Sequence, residues 1–193
     1  MAHFTDGTND FTADKGLSRT TTPSIFIQKF GDGYEQRLAR GINPFTQGYS
    51  ASFTTRTKAE AINIINFFED KNAVTSFVFA PPELGSKTAE TSFSSTVITS
   101  SGLDTTVLSP STPSHILVTG STNNDGGYTL DQSSTATNNA TTLTTTASFT
   151  SETNAADVLI QAGIKVVCPS WDLTYDYGDY YSVSAEFNRV YEA

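Results

Sequence analysis

The chain has 193 residues, enough for one domain, or one domain carrying an insertion, with a sizeable core. Eleven basic residues against 20 acidic ones leave a net charge of −9, which opposes a role in coating nucleic acid. A single cysteine, Cys168, excludes an intramolecular disulfide, and two distant histidines, His3 and His115, fit a Cys/His zinc site poorly. The first ten residues, MAHFTDGTND, lack the basic start and apolar run of a signal peptide, and no apolar stretch reaches the ~18 residues of a membrane span. The expectation is a soluble protein of a reducing compartment, without a membrane anchor.

In chain order, Ser24 to Phe30 reads as a strand, Gly31-Asp32-Gly33 as a tight turn, and Tyr34 to Leu38 as the returning strand. Tyr49, Ala51 and Phe53 alternate with Ser50, Ser52 and Thr54, giving a strand with one apolar and one polar face. Thr57-Lys58-Ala59-Glu60 has the form of a capping box and opens the one clear helix, which ends near Asp70-Lys71-Asn72. Ala61, Ile62, Ile65 and Phe68 follow at helical spacing, with Ile64 and Phe67 pointing elsewhere. So wide an apolar surface (Ile62, Ile64, Ile65, Phe67, Phe68) implies a helix covered on two sides or one that meets a neighbouring subunit.

The composition then changes abruptly. Residues 86–153 hold 33 Ser or Thr among 68 positions and only six charges, and no Lys or Arg occurs between Thr88 and Ile164. A disordered linker is one reading of such a stretch. Short β-type runs favour a small folded unit: 96–99, 115–119, 128–130, 141–146 and 157–160, with Asn123 to Gly127 supplying turn residues. Beyond it, Ile164 to Val167 reads as a strand leading to Cys168, a core residue by type. Tyr181, Val183, Ala185 and Phe187 alternate with Ser182, Ser184 and Glu186 in the last strand. The organisation expected is a discontinuous outer domain, 1–83 and 164–193, with an inserted β domain at 84–163.

Candidate chemistry is sparse. His115 opens an apolar strand and reads as a strand-end residue, while His3 lies in a polar terminus expected to be mobile. No Gly-x-Ser-x-Gly, phosphate-binding loop or dinucleotide fingerprint is present. Phe30 to Tyr34 is rich in glycine, but no helix follows it to hold an anion. Asp172, Asp176 and Asp179 with Tyr175, Tyr177, Tyr180 and Tyr181 form the richest cluster; its spacing matches no EF-hand, and 176–179 reads as an exposed hairpin turn. The expectation is therefore no catalytic residue, no metal and no cofactor.

Three separated pieces together resemble one family. They are Phe30-Gly31-Asp32-Gly33-Tyr34-Glu35-Gln36-Arg37 with Gly41-Ile42-Asn43, then Phe67-Phe68 leading to Phe79-Ala80-Pro81-Pro82, and finally Cys168-Pro169-Ser170-Trp171 running on to Phe187. Their order and type are similar to the minor tail protein M family of lambda-type long-tailed bacteriophages, over roughly residues 20–83 and 164–192. Phe79-Ala80 stands where that family has Trp-Thr, and 84–163 replaces what is usually a short connection.

The resemblance implies a mainly β fold: a tail-tube-like β-barrel or sandwich with one flanking helix, here with a small β domain inserted. It implies a virion protein, assembled in the host cytoplasm, forming a homo-oligomeric ring, typically of six, between the tail tube protein and the tip or baseplate hub. Gly31 and Gly33 would permit the turn, and Tyr34, Phe79, Trp171 and Phe187 would pack the barrel. DNA would be met only in transit through the lumen, which a negative lining would suit. The inserted domain would project outward as decoration or a glycan contact. Two other readings stay open: a monomeric carbohydrate-binding or adhesin module using Tyr175–Tyr181, and an envelope-polymer hydrolase, which would need two facing carboxylates in a cleft.

Overall fold

The computed structural model describes residues 3–6, 8–84, 86–100, 115–131 and 142–191. The chain is mainly β, with fourteen strands and one helix among the described residues. The first six strands are β1 (His3–Thr5), β2 (Asp10–Thr12), β3 (Ser18–Pro23), β4 (Ile25–Lys29), β5 (Glu35–Ala39) and β6 (Phe45–Thr57). Helix α1 (Lys58–Lys71) leads to β7 (Phe77–Phe79). There follow β8 (Ser86–Ser94), β9 (Val97–Thr99), β10 (His115–Thr119), β11 (Gly126–Thr129), β12 (Thr142–Thr144), β13 (Glu152–Tyr177) and β14 (Tyr180–Arg189). Position 141 of the expected run 141–146 lies outside the described residues, as do 101–114 and 132–141 of the expected inserted domain.

Ten strands form one sheet in the order β12-β9-β8-β13-β14-β6-β3, with β10, β11 and β7 attached through β13. The organising element is β13, a strand of 26 residues. Its first half pairs with β8 on one edge and β10 on the other, and its second half with β7 and β14. The composition break at 163/164 therefore falls inside a continuous strand. Pro169 sits where the β13–β14 register shifts between Val167 and Ser170. A residue without an N–H is tolerated there because the ladder is already interrupted.

Buried apolar side chains form two clusters. The first combines Phe53, Phe68, Phe79, Val166, Cys168, Val183 and Phe187 with others from β6, α1, β7, β13 and β14. Phe4 lies at its centre, fully buried, with ring centroids 4.9–5.9 Å from Phe11, Phe53, Phe67, Phe68, Phe77 and Phe187. The second cluster gathers Phe93, Ile98, Ile116, Val118, Leu130, Leu143, Phe149, Val158 and Ile160. Leu84 packs against both. Between the clusters, Val78 of β7 fills the space that a side chain at Gly127 or Gly163 would need.

Helix α1 starts as its sequence dictates. Thr57 and Glu60 exchange the two hydrogen bonds of a capping box, and Asn72 closes the helix in the left-handed region at φ 48°. Its inward face is Ala61, Ile64, Phe67 and Phe68. Ile64, Phe67 and Phe68 are thus core residues of this chain and not a surface for a neighbour; of the five expected interface residues, Ile62 is exposed and Ile65 half-buried. The expected face of Ala61, Ile62, Ile65 and Phe68 shares Ala61 and Phe68 with the observed one; Ile62 on the solvent side mimics a core position, and Ile64 and Phe67 are the side chains that pack inward.

The polar N-terminus is also not a loose tail. His3 to Thr5 pairs with Asp10 to Thr12, and His3 exchanges backbone hydrogen bonds with Ala80. Across that hairpin His3 Nδ1 lies 3.0 Å from Thr12 Oγ1, and across the β10–β11 hairpin His115 Nδ1 lies 3.1 Å from Thr129 Oγ1. Asp14 then anchors the segment: it accepts from the Thr54 amide, the Thr54 hydroxyl (2.7 Å) and Arg56 Nη2 (2.7 Å). Burial opposes ionisation of Asp14, yet these donors prevail and hold its pKa below the usual value.

Candidate assembly surface

The pair β4–β5 forms a two-stranded sheet that is paired with no other strand among the described residues. It continues the β3–β6 pair, whose last rung is Pro23 with Phe45, after an irregular step closed by Ser24 N–H to Pro44 O (2.5 Å) and Arg40 N–H to Ser24 O (2.9 Å). At its far end Phe30 N–H donates to Tyr34 O (2.8 Å) across the Gly31-Asp32-Gly33 turn. Asp32 at φ 66° and Gly33 at φ 83° occupy the left-handed region, where glycine is free of strain and aspartate is tolerated.

Every residue of this arm from Ile25 to Ala39 is exposed, including Ile25, Phe26, Ile27, Phe30, Tyr34 and Leu38. Ile42, 98% exposed, and Phe45 extend the apolar surface at its base. An isolated two-stranded ribbon is marginal in water, and contiguous exposed apolar area of this kind marks an interaction site. The two faces differ. Cross-strand partners share a face, so Phe26, Gln28 and Phe30 lie with Tyr34, Gln36 and Leu38, and that face carries no charge. The other face presents Ile25, Ile27 and Ala39 with Lys29, Glu35 and Arg37, and Arg37 contacts Glu35 as an ion pair.

The residues expected to share a structural motif separate in space. Phe30, Gly31, Asp32, Gly33, Tyr34, Gln36, Arg37, Gly41 and Asn43 all lie on the exposed arm or its base. Tyr34, expected to pack the barrel, is 76% exposed; the turn that presents it reaches beyond the core. Phe79, Pro81, Cys168 and Phe187 are buried and Trp171 half-buried, whereas Pro82 is exposed. Phe79 and Phe187 meet at 5.0 Å and Trp171 lies 5.8 Å from Phe68. Burial pushes the Cys168 thiol up to about 12, so it is not a poised nucleophile.

A second exposed apolar surface is the β13–β14 tip. Leu173, Tyr175, Tyr177 and Tyr180 are all exposed there, and Gly178 turns the chain at φ 60°. Tyr175 donates to Gly178 O (2.6 Å) and Ser182 to Asp176 (2.6 Å), so Tyr175 and Asp176 help hold the turn. Among the described residues no cluster of His, Cys, Asp or Glu has metal-site geometry, and no helix is long and apolar enough to cross a membrane.

The outward face of the β3–β6–β14–β13 sheet differs from both. Its rows are Ser170-Glu186-Ser50-Ser18, Asp172-Ser184-Ser52, Asn188-Gly48-Thr20, Thr174-Ser182 and Thr46-Thr22. The face is made of small polar residues and carboxylates, without a Lys or Arg among these positions.

The phage minor tail protein family model matches residues 8–109, just over half of the chain. The chain belongs to the phage minor tail protein family. It is also 33% identical over 67 residues to "Tail tip protein M" of Escherichia phage lambda, a match covering 35% of this chain and 61% of that relative. The chain thus aligns with less than two thirds of that relative's length. Family membership supports a structural component of the phage tail, and hence of the virion, that interacts with other tail proteins. Within this tail protein, the matched region contains the exposed arm, the capping box and the whole of α1.

Proposed function

We propose that this tail protein assembles into a closed homo-oligomeric ring that joins the tail tube to the tip or baseplate hub, and that it acts by geometry and not by catalysis. The observation that carries the reading is the β4–β5 arm, whose apolar side chains find no cover among the described residues. Burying them against other subunits is worth ~25 cal/mol per Å² of apolar surface. A repeated head-to-tail contact closes when the rotation per copy divides a full turn, and six copies is the number the family resemblance implies.

In such a ring the hydroxyl- and carboxylate-bearing face of β3, β6, β14 and β13 lines the lumen. DNA in transit would meet no cation there, and a negative lining does not retain phosphate. Residues 84–163, which contribute most of the second buried cluster, form the unit that projects outward as decoration. Light scattering and negative-stain imaging of the purified protein test the ring. Ring-shaped particles of constant copy number are expected; a strict monomer, alone and mixed with the other tail proteins, would overturn it.

A carbohydrate-binding reading keeps one favourable observation, the exposed Tyr175, Tyr177 and Tyr180 at the β13–β14 tip. It predicts saccharide-dependent quenching of Tyr or Trp171 fluorescence in a monomer.

A further inference from the structure

We propose that the uncharged face of the β4–β5 arm of one copy docks on the tyrosine-lined β13–β14 tip of a second copy. This rests on the ring reading and supplies its contact. The two patches lie at opposite ends of β6: the arm springs from Phe45, and the tip pairs through Tyr180 with Thr57. The 13 residues of β6 span roughly 40 Å at about 3.3 Å per residue, whereas each arm strand has five residues and reaches about 17 Å. The arm therefore cannot fold back onto its own tip, and among the described residues its apolar side chains stay uncovered. Because the patches are different surfaces, joining them is heterologous and propagates head to tail, as a ring requires.

The chemistry of the two surfaces matches. The arm face offers Phe26, Phe30, Tyr34 and Leu38 around two glutamines. The tip offers the cross-strand pair Tyr177 and Tyr180 and, before the register shift, Leu173 and Tyr175; its tyrosines are large amphipathic side chains of the kind enriched at interface cores. Charge runs the same way. From Ser24 to Phe45 there are three cations, Lys29, Arg37 and Arg40, against two anions, in a chain of net charge −9. The tip holds Asp172, Asp176 and Asp179 against two bordering cations, Lys58 and Arg56, the latter paired with Asp14, and is net acidic. Opposite signs steer the two ends together and disfavour arm-to-arm and tip-to-tip encounters.

Cysteine cross-linking tests the contact. Phe30→Cys and Tyr177→Cys are made singly and together; both positions are exposed, and native Cys168 is buried and does not compete. The assembled particle is treated with a short bismaleimide, and thermal melting checks that each variant folds. The double variant should give a ladder of covalent oligomers ending at the ring size, and each single variant none. A covalent dimer from either single variant would show a two-fold contact and overturn the proposal. So would rings that form normally while the double variant stays uncross-linked, which would leave the ring reading intact. A chain found neither in rings nor in purified tails would overturn both.

Discussion

Val78 occupies the space beside Gly127 and Gly163 that a side chain at either would need, and the contact makes a quantitative prediction. A Cβ built on Gly163 would lie 2.5 Å from Val78 Cγ1, with Phe79 O next at 3.4 Å. A Cβ on Gly127 would lie 2.5 Å from both Cβ and Cγ2 of Val78. Gly163→Ala should therefore overpack the site at a cost of about 1–3 kcal/mol. For a chain of this size that lowers the melting temperature by roughly 2–12 °C. Val78→Ala removes the offending Cγ1, so the double variant Val78→Ala/Gly163→Ala should melt near Val78→Ala alone, a coupling of about 1–3 kcal/mol. Gly127→Ala should gain no such rescue, because the Val78 Cβ it strikes survives in alanine. Thermal and urea melts of the wild type, the three single variants and the two double variants Val78→Ala/Gly163→Ala and Val78→Ala/Gly127→Ala decide the matter. Additive losses at Gly163, or equal rescue at Gly127, would refute the packing argument.

Four further outcomes are expected. Phe4→Ala should cost about 3–5 kcal/mol in a urea melt, since it empties the centre of the aromatic cluster, whereas Phe26→Ser on the exposed arm should leave the melt unchanged and lower the assembled mass seen by light scattering. Burial, reinforced by Glu83, raises the Tyr49 phenol from 10.0 to about 12. The folded chain keeps that proton while the unfolded chain loses it, so stability intact below about pH 10 should fall as pH rises toward 12, and Tyr49→Phe should fall less in urea melts at the two pH values. Cys168 should resist a maleimide in the native protein and react on unfolding, as mass spectrometry would read. Ser50→Lys with Ser184→Lys should leave tail assembly intact but slow DNA ejection, measured by dye uptake.

What was legible in the sequence was what neighbouring residues decide among themselves. The Gly31-Asp32-Gly33 hairpin, the Thr57 to Glu60 capping box, the alternation of Tyr49, Ala51 and Phe53, and the Tyr177 to Tyr180 turn each carry their own signal. What depends on distant partners was not. Phe4 and Phe11 sit among polar residues, and only the docking of their hairpin against α1 and β7 makes them core. An Asp-Gly pair between two Phe-Thr dipeptides was the available clue. The change in composition at 163/164 concealed β13, because hydroxyl-rich and apolar segments can share one period-two strand. Tyr34 shows the opposite case: a motif tyrosine beside a turn looks like a core anchor, whereas the turn carries it out to solvent at the end of the arm.

The proposed ring is tested most directly by counting. Purified tails, analysed by quantitative mass spectrometry against the tail tube protein, should contain this chain in a fixed copy number equal to that of one ring, and imaging should place that density between tube and tip. Absence of the chain from purified tails, or a copy number that varies from tail to tail, would contradict the account.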